Sequence, residues 1–245
     1  MHLQFIGSGD AFGSGGRFNT CFHVIGDQAN FLIDCGASSL IALKTNNIVL
    51  NDIQTIFITH FHADHFGGIP FFILDAQFHS KRSEPLTIIG PQGLEEWYER
   101  VMETAFPGSS KTNQRFSLSL VELKPEQTVT VNDVSARPCR VNHGTSGGPA
   151  YAYRFEVENH SIAYTGDTEW VDELVEVGTG VDLLISEAYF FEKRVRHHLD
   201  LASLIEHLPR MHPKRLVLTH MSIDMLSRSE FIDYELAEDG KIINL

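Results

Sequence analysis

The densest chemistry in the chain is Thr59-His60-Phe61-His62-Ala63-Asp64-His65, which puts three imidazoles and a carboxylate within six positions directly after the apolar run IQTIFI. As plain core this would be costly, because every buried polar group needs a partner. Metal ligation supplies the partners. In an extended segment His60 and His62 lie two apart and face the same side, so both can meet one ion, while Asp64 and His65, past the turn, can meet a second. One such cluster has too few donors for two ions, and further ligands are therefore expected at other strand ends. His143 in RVNHG, Asp167 in AYTGD and His220 in LVLTH each follow a β-like run and precede loop or helix, where function concentrates in α/β folds. The expected division is His60, His62 and His143 around one metal, Asp64, His65 and His220 around the other, and Asp167 bridging with its two oxygens. Two divalent ions ~3.5 to 4 Å apart would hold a hydroxide between them and bring its pKa toward neutrality, giving a nucleophile. Nitrogen-rich ligation points first to zinc, with manganese or iron as alternatives. The competing reading of the cluster is a polar surface turn, and Gly166-Asp167 is also a common turn pair.

These side chains need strands to deliver them. LQFI reads as a strand running into a loop rich in glycine (Gly7, Gly9, Gly13, Gly15, Gly16), which lacks the Gly-Lys-Ser/Thr ending of a P-loop and the helix that follows a dinucleotide fingerprint. CFHVI and NFLIDCG read as a hairpin, SSLIALKTNN as a helix with Ser38 as its cap, and IQTIFIT as a buried strand. GGIPFFILDAQFH is expected to be helical, then LTIIG a strand, then a helix opened by Pro91 and Gln92 and running through LEEWYERVMETAF. From 116 to 165 the runs SLSLVEL, QTVTV, VSARPCRV, AYAYRFEV and SIAYTG are expected to form a second sheet. The remainder returns to α/β order: a helix near 169 to 177, DLLISEA, the helix LASLIEHL, and RLVLTH, with a polar helix or loop before KIINL. IQTIFITH and KRLVLTH echo one another as strands ending in Thr-His. No linker divides the chain, so residues 1–245 are expected to form a single domain.

The 245 residues and 42% hydrophobic content suffice for a sizeable core. A formal charge of −13 argues against broad binding to nucleic acid or an anionic membrane. A phosphate-bearing partner would need a local attraction, which bound divalent metals provide. Cys21, Cys35 and Cys139 make no CxxC pair and read as small core residues. The start MHLQFIGSGDAFGSGG has no basic leader followed by an apolar stretch, and no run approaches the ~20 apolar residues of a membrane span. The expected setting is the reducing cytoplasm, with no membrane partner.

THFHADH, with His143, Asp167 and His220 in the contexts NHG, YTGD and LTH, resembles the metallo-β-lactamase superfamily, in an order that covers almost the whole chain. The resemblance implies an α/β fold of the four-layer αββα kind, with two metals at the edge of the sandwich. FIGSGDAFGSGGRFNTCFHV and the later SEA, HH and LVLTHMS resemble the ribonuclease Z-like and phosphodiesterase branch. Dinuclear lactamases usually carry a cysteine where Asp167 stands, so lactamase activity is not implied. The branch pairs a glutamate after the strand that follows the bridging aspartate with a histidine near the scissile phosphate, and Glu187 and His198 match those positions better than His197 does. His198 would stabilise a phosphoryl oxygen or protonate the leaving alkoxide, and Glu187 would orient its ring. With them Asp64 is counted among the catalytic groups as well as the ligands. The plainer reading makes His198 a residue leading into a helix capped by Asp200, and Glu187 a loop ion-pair partner.

This sequence departs from the tRNA-processing pattern of the branch. Its members carry a long basic arm between the third histidine ligand and the bridging aspartate, whereas here only residues 144 to 166 intervene, enough for a hairpin. Lys193, Arg194 and Arg196 form one basic patch near His198, or simply a solvated connection. Phe190, Phe191, Phe12 and Phe18 would wall the site or stack on a base, or pack in the core. The expectation is thus a dinuclear metal hydrolase, a phosphodiesterase acting on a nucleotide, cyclic phosphate or short RNA end. The rivals are a lactone, thioester or other carboxylic ester hydrolase, a tRNA 3′-processing endonuclease, and a metal-binding accessory protein without turnover. The resembled branch commonly forms homodimers, and apolar stripes at 66 to 79 and 91 to 105 would suit a two-fold interface, or pack on the sheet.

Overall fold

The computed structural model of the chain describes residues 1–144 and 146–245. Its first six strands are β1 His2–Gly7, β2 Cys21–Ile25, β3 Asn30–Ile33, β4 Thr55–Phe57, β5 Leu86–Pro91 and β6 Leu118–Leu123. The next seven are β7 Val129–Val131, β8 Val134–Val141, β9 Ala150–Val157, β10 His160–Tyr164, β11 Leu183–Glu187, β12 Leu216–Thr219 and β13 Glu235–Leu236. The last, β14 Ile242–Asn244, returns to pair with β1, so that two seven-stranded sheets form in the orders β14-β1-β2-β3-β4-β5-β6 and β13-β12-β11-β10-β9-β8-β7. Each sheet contains a parallel run, β3 to β6 in one and β10 to β13 in the other.

Strand alternation assigns the layers. Phe57 of β4, Ile89 of β5 and Leu183 and Ile185 of β11 point between the sheets, where they join Phe5, Phe22, Phe31, Tyr153 and Phe155 in one buried cluster. Their neighbours Ile56, Ile88 and Leu184 point outward. On the first sheet they meet Ala42 and Leu43 of helix α1 (Ser39–Thr45). Past α2 (Ala63–Phe66), the helices α3 (Ile69–Leu74) and α4 (Leu94–Ala105) add Phe72, Leu94 and Met102 to the same cluster. On the second sheet the cover is Leu174, Leu204 and Met225 from α5 (Glu173–Gly178), α6 (Leu201–His207) and α7 (Ile223–Leu226). The result is the αββα sandwich. Phe57 lies edge-on to Phe155 at 5.0 Å and to Phe31 at 5.5 Å. Phe57→Ala is therefore expected to cost about 3 to 5 kcal/mol of unfolding free energy in urea titration; a loss below about 1 kcal/mol would show that the sheets close the cavity themselves.

Several local expectations fail for identifiable reasons. SLSLVEL becomes β6 and pairs in parallel with β5 in the first sheet, not the second. Pro91 ends β5, and α4 starts only at Leu94 behind Gly93 at φ 96°, so the proline closes a strand instead of opening a helix. Ser38 makes no side-chain cap: its hydroxyl donates to Asn19 Oδ1 at 3.1 Å and accepts from the Asn19 N–H at 2.7 Å. The stretch 67 to 79 is helical from Ile69 on, as expected, with Pro70 in the first turn and a wider π-helical turn, Asp75–His79, ending it. The three cysteines are buried and free. Among the described residues no helix is long and apolar enough to cross a membrane.

Candidate metal centre

All seven proposed ligands converge at one end of the sandwich, on segments that leave strand ends. His60, His62, Asp64 and His65 follow β4, His143 follows β8, Asp167 follows β10 and His220 follows β12. β8 and β10 are both antiparallel to β9, so their exits lie at the same edge. The two Thr-His echoes occupy equivalent places, each just beyond a parallel strand, one per sheet. His220 has φ 54°, in the left-handed region that non-glycine residues adopt where surroundings hold them.

Among the described residues three groups bring ligand atoms within 4.8 Å of one another: a first of His60, His62 and His143, a second of Asp64, His65, Asp167 and His220, and a third, overlapping the second, of Asp167, Glu187, His198 and His220. His143 Nε2 is 2.9 Å from His62 Nδ1, and His65 Nε2 is 3.4 Å from His220 Nε2. Asp167 stands between the first two groups: its Oδ2 is 3.3 Å from His65 Nε2, 3.4 Å from His220 Nε2 and 3.8 Å from His143 Nε2. Its Oδ1 is buried with no partner, and so is His60 Nε2.

The hydrogen bonds behind these atoms fix which nitrogen is free. His65 Nδ1 donates to Asp34 Oδ2 at 2.7 Å, leaving Nε2 for the centre. Thr59 Oγ1 donates to the same carboxylate at 2.8 Å and so accepts from His60 Nδ1 at 3.1 Å, which leaves His60 Nε2 with its lone pair and nothing to meet. His143 Nδ1 donates to the His197 carbonyl at 2.8 Å, again freeing Nε2. An unpartnered buried imidazole nitrogen and carboxylate oxygen, beside imidazoles aimed at one another, are what a borderline cation satisfies. The donors fit such a metal.

The electrostatics of the groups differ. Burial holds His60 well below its ordinary pKa and His143 down to about 4, so these imidazoles are neutral donors. In the second group burial opposes charge, but the imidazoles outweigh it on Asp64 and Asp167, which are held well below the usual carboxylate range. The converse holds for His220, where burial is outweighed by Asp167 and the pKa is pushed up to about 9. That second group gathers the carboxylate charge a dication neutralises, with release of protons.

Glu187 is fully buried at the end of β11, and its Oε1 accepts from His198 Nδ1 at 2.5 Å. Its Oε2 accepts from the N–H groups of Thr168 at 2.9 Å and Leu199 at 3.2 Å, so the carboxylate is anchored on both oxygens. It is no loose surface ion-pair partner. The His198 ring lies 5.0 Å from that of His143 and 6.0 Å from that of His220, stacked on Tyr189 at 4.6 Å. Asp200 caps α6 through the Ser203 N–H at 2.9 Å, so the helix-lead reading holds for Asp200 while His198 is bound elsewhere. Of the basic patch, Arg194 pairs with Glu206 and Lys193 lies over Phe190, both exposed. Phe18 and Phe191 pack against core clusters, whereas Phe12 is 82% exposed.

Sequence reasoning missed Asp34. It sits just past β3 at φ 60°, fully buried, and accepts from the Thr59 N–H at 2.8 Å besides the Thr59 hydroxyl and His65. Gly36, two residues on, permits the approach, since a Cβ there would lie 2.1 Å from the Asp64 carbonyl oxygen. Asp34→Asn is expected to weaken metal affinity or turnover about 10- to 100-fold by releasing His65 and Thr59; equilibrium dialysis against zinc measures it, and wild-type affinity and turnover together would remove Asp34 from the support of the centre.

Residues 1–242 match the family described as anti-Pycsar protein Apyc1. The chain belongs to that family. It is a metal-dependent hydrolase of the metallo-β-lactamase superfamily, in its ribonuclease Z-like branch. A ribonuclease Z of Lachnoclostridium phytofermentans is 25% identical over 273 aligned positions that take in 89% of this Apyc1-family chain and 86% of the relative. The solved structure of human tRNase Z, short form, superposes with a TM-score of 0.81 at 25% identity, covering 100% of this chain and 99% of that one. The metallo-β-lactamase fold protein YhfI from Bacillus subtilis gives the same TM-score at 19% identity, over 99% and 98% of the two chains, a likeness of fold.

Proposed function

We propose that this chain is a dinuclear phosphodiesterase acting on a nucleotide, a cyclic phosphate or a short RNA end, with residues 1–245 working as one domain in the cytoplasm. The observation that carries the reading is the anchored Glu187–His198 pair, whose imidazole lies within 5.0 Å of the His143 ring and 6.0 Å of the His220 ring. Such a pair suits phosphodiester cleavage, where the imidazole can protonate the leaving alkoxide and also face the anionic phosphoryl oxygens that a neutral carboxylic ester lacks. His60, His62 and His143 would hold one divalent ion, and Asp64, His65 and His220 a second, with Asp167 shared between them; such ions, zinc first, would supply Lewis acidity and activated water. The protein's own share is orientation: Asp34 and Thr59 set the faces of His65 and His60, the His197 carbonyl sets His143, and His198 holds a proton at Nε2 for a phosphoryl or leaving oxygen while Glu187 keeps Nδ1–H engaged.

The stretch between His143 and Asp167 favours a small substrate. Among the described residues β9 and β10 take up 150 to 157 and 160 to 164, which leaves only short connections where a projecting arm would need many residues. With a charge of −13, this weighs against gripping a folded tRNA. That the Lachnoclostridium relative is a ribonuclease Z keeps an RNA end within the proposed substrate range. We further infer a homodimer through α1, α3 and the turn after it, where Ile41, Phe71 and Phe78 are 65%, 43% and 59% exposed; sedimentation of the wild type and of Phe78→Glu tests it.

The deciding experiment is metal-reconstituted turnover of bis(p-nitrophenyl) phosphate beside a lactone and a thioester. Phosphodiester cleavage supports the reading and justifies a nucleotide and short-RNA screen. Ester or lactone turnover with no phosphodiester cleavage overturns it and assigns the same centre to acyl chemistry.

A further inference from the structure

One residue that neither the ligand set nor the His198 pair includes ties the two together. Glu169 lies two residues beyond Asp167 and is only half-buried. Its Oε1 accepts from Asn142 Nδ2 at 2.5 Å, and its own N–H donates to the Asn142 carbonyl at 3.1 Å. Its Oε2 accepts from the His197 N–H at 3.1 Å. His197 in turn offers its carbonyl to His143 Nδ1 at 2.8 Å. The path closes on itself: Glu169 to Asn142, along the chain to His143, across to the His197 carbonyl, and through the His197 backbone to Glu169.

We propose that Glu169 is a positioning residue that clamps the loop carrying His143 to the loop carrying His198, and so sets the distance between the metal ligand and the proton-holding imidazole. His197 has φ 71°, a left-handed conformation that the surroundings must hold. Its ring lies against Gly144, where an added Cβ would come within 2.3 Å of His197 Cε1, so the two loops are in direct contact as well as hydrogen-bonded. The carbonyl of a residue in that conformation keeps its aim at His143 only while its N–H is tied. Thr168 assists, accepting from the Asn142 N–H at 3.1 Å, while its own N–H is held by Glu187. The segment 167 to 169 therefore delivers a ligand candidate, a tie to the Glu187 carboxylate and the clamp in three successive residues. A mere surface contact would not join both flanking loops through one carboxylate.

The clamp rests on the proposed function for its turnover arm but not for its metal arm. In the full-length protein, zinc affinity measured against a chromophoric chelator is expected to fall about 10- to 100-fold in Glu169→Ala, as for other outer partners of ligating histidines. With zinc saturating, kcat on bis(p-nitrophenyl) phosphate is expected to fall about tenfold while KM moves less than about threefold, since no substrate contact is removed. Glu169→Gln keeps an oxygen for the His197 N–H and lets the Asn142 amide turn to accept from the new Nε2, so it is expected to restore both quantities to within about threefold of wild type. Wild-type affinity and kcat in Glu169→Ala, or equal losses in the Ala and Gln variants, overturns the clamp. If Glu169→Ala does not fold, Asn142→Ala removes one arm of the clamp from the other side and must weaken zinc affinity in the same direction. Failure of the wild type to cleave any phosphodiester would sink the proposed function alone, with the zinc affinities still deciding the clamp.

Discussion

Asp167→Ala is expected to lower phosphodiester turnover by about 10³-fold or more, because several kcal/mol of metal-borne charge stabilisation depend on one carboxylate and each 1.36 kcal/mol is tenfold in rate. The geometry behind that expectation is its shared position. One oxygen lies 3.3 Å from His65, 3.4 Å from His220 and 3.8 Å from His143, and the other is buried without a protein partner. Among the described residues no other carboxylate lies within 4 Å of imidazoles of both groups: Asp64 lies 3.2 Å from His220 and 3.4 Å from His65, within the second group. The loss separates from unfolding by thermal melts with and without zinc. Wild type is expected to gain in Tm as zinc exceeds its dissociation constant, and Asp167→Ala to gain much less. The isosteric Asp167→Asn, which retains volume and one oxygen, checks that charge is responsible. Turnover above about a tenth of wild type in both variants would remove Asp167 from the bridging position.

What was legible in the chain follows from where each signal lies. The 59 to 65 cluster was legible because its donors are local, and a strand cannot hide three imidazoles. His143, Asp167 and His220 were legible because each ends an apolar run, and β8, β10 and β12 run in the same direction within the second sheet, so those ends reach one edge. Asp34 gave no such signal. In NFLIDCG it reads as one acid closing a hairpin strand, and only the approach of β4 beside β3 brings Thr59 and His65 onto it. The carbonyl of His197 is less legible still, since a backbone acceptor has no side chain to announce it and the left-handed φ behind it belongs to the assembled loop. Sheet membership failed for the same reason. SLSLVEL has the alternation of a strand, but nothing within it distinguishes pairing with β5 from pairing with β7, a choice made by contacts distant in sequence. KIINL is too short to read as a strand by itself, and its pairing with β1 spans almost the whole chain.

His198→Ala separates two ways in which one imidazole can serve the same reaction. If it protonates a leaving alkoxide, the variant is expected to lose about 10²- to 10⁴-fold in kcat on an alkyl-leaving substrate such as a dinucleotide, the usual range for a positioned acid. On bis(p-nitrophenyl) phosphate the loss is expected to be much smaller, because nitrophenolate departs without a proton. If His198 instead stabilises a phosphoryl oxygen, both substrates present that oxygen and both lose by a similar factor. Zinc affinity is expected to change little either way, since the Nδ1 of His198 is engaged by Glu187 and neither proposed ligand set, His60, His62 and His143 or Asp64, His65, Asp167 and His220, includes it. Glu187→Gln sharpens the distinction. The anchoring N–H groups of Thr168 and Leu199 can still find the amide oxygen, but the bond to His198 loses its charge, so a proton-donor role predicts a loss that again grows with the basicity of the leaving group. The geometry favours the first role, because a ring held by a buried carboxylate on one nitrogen is built to carry a proton on the other. Equal losses on both substrates would assign His198 to the phosphoryl oxygen, and no loss on either would return the pair to local structure.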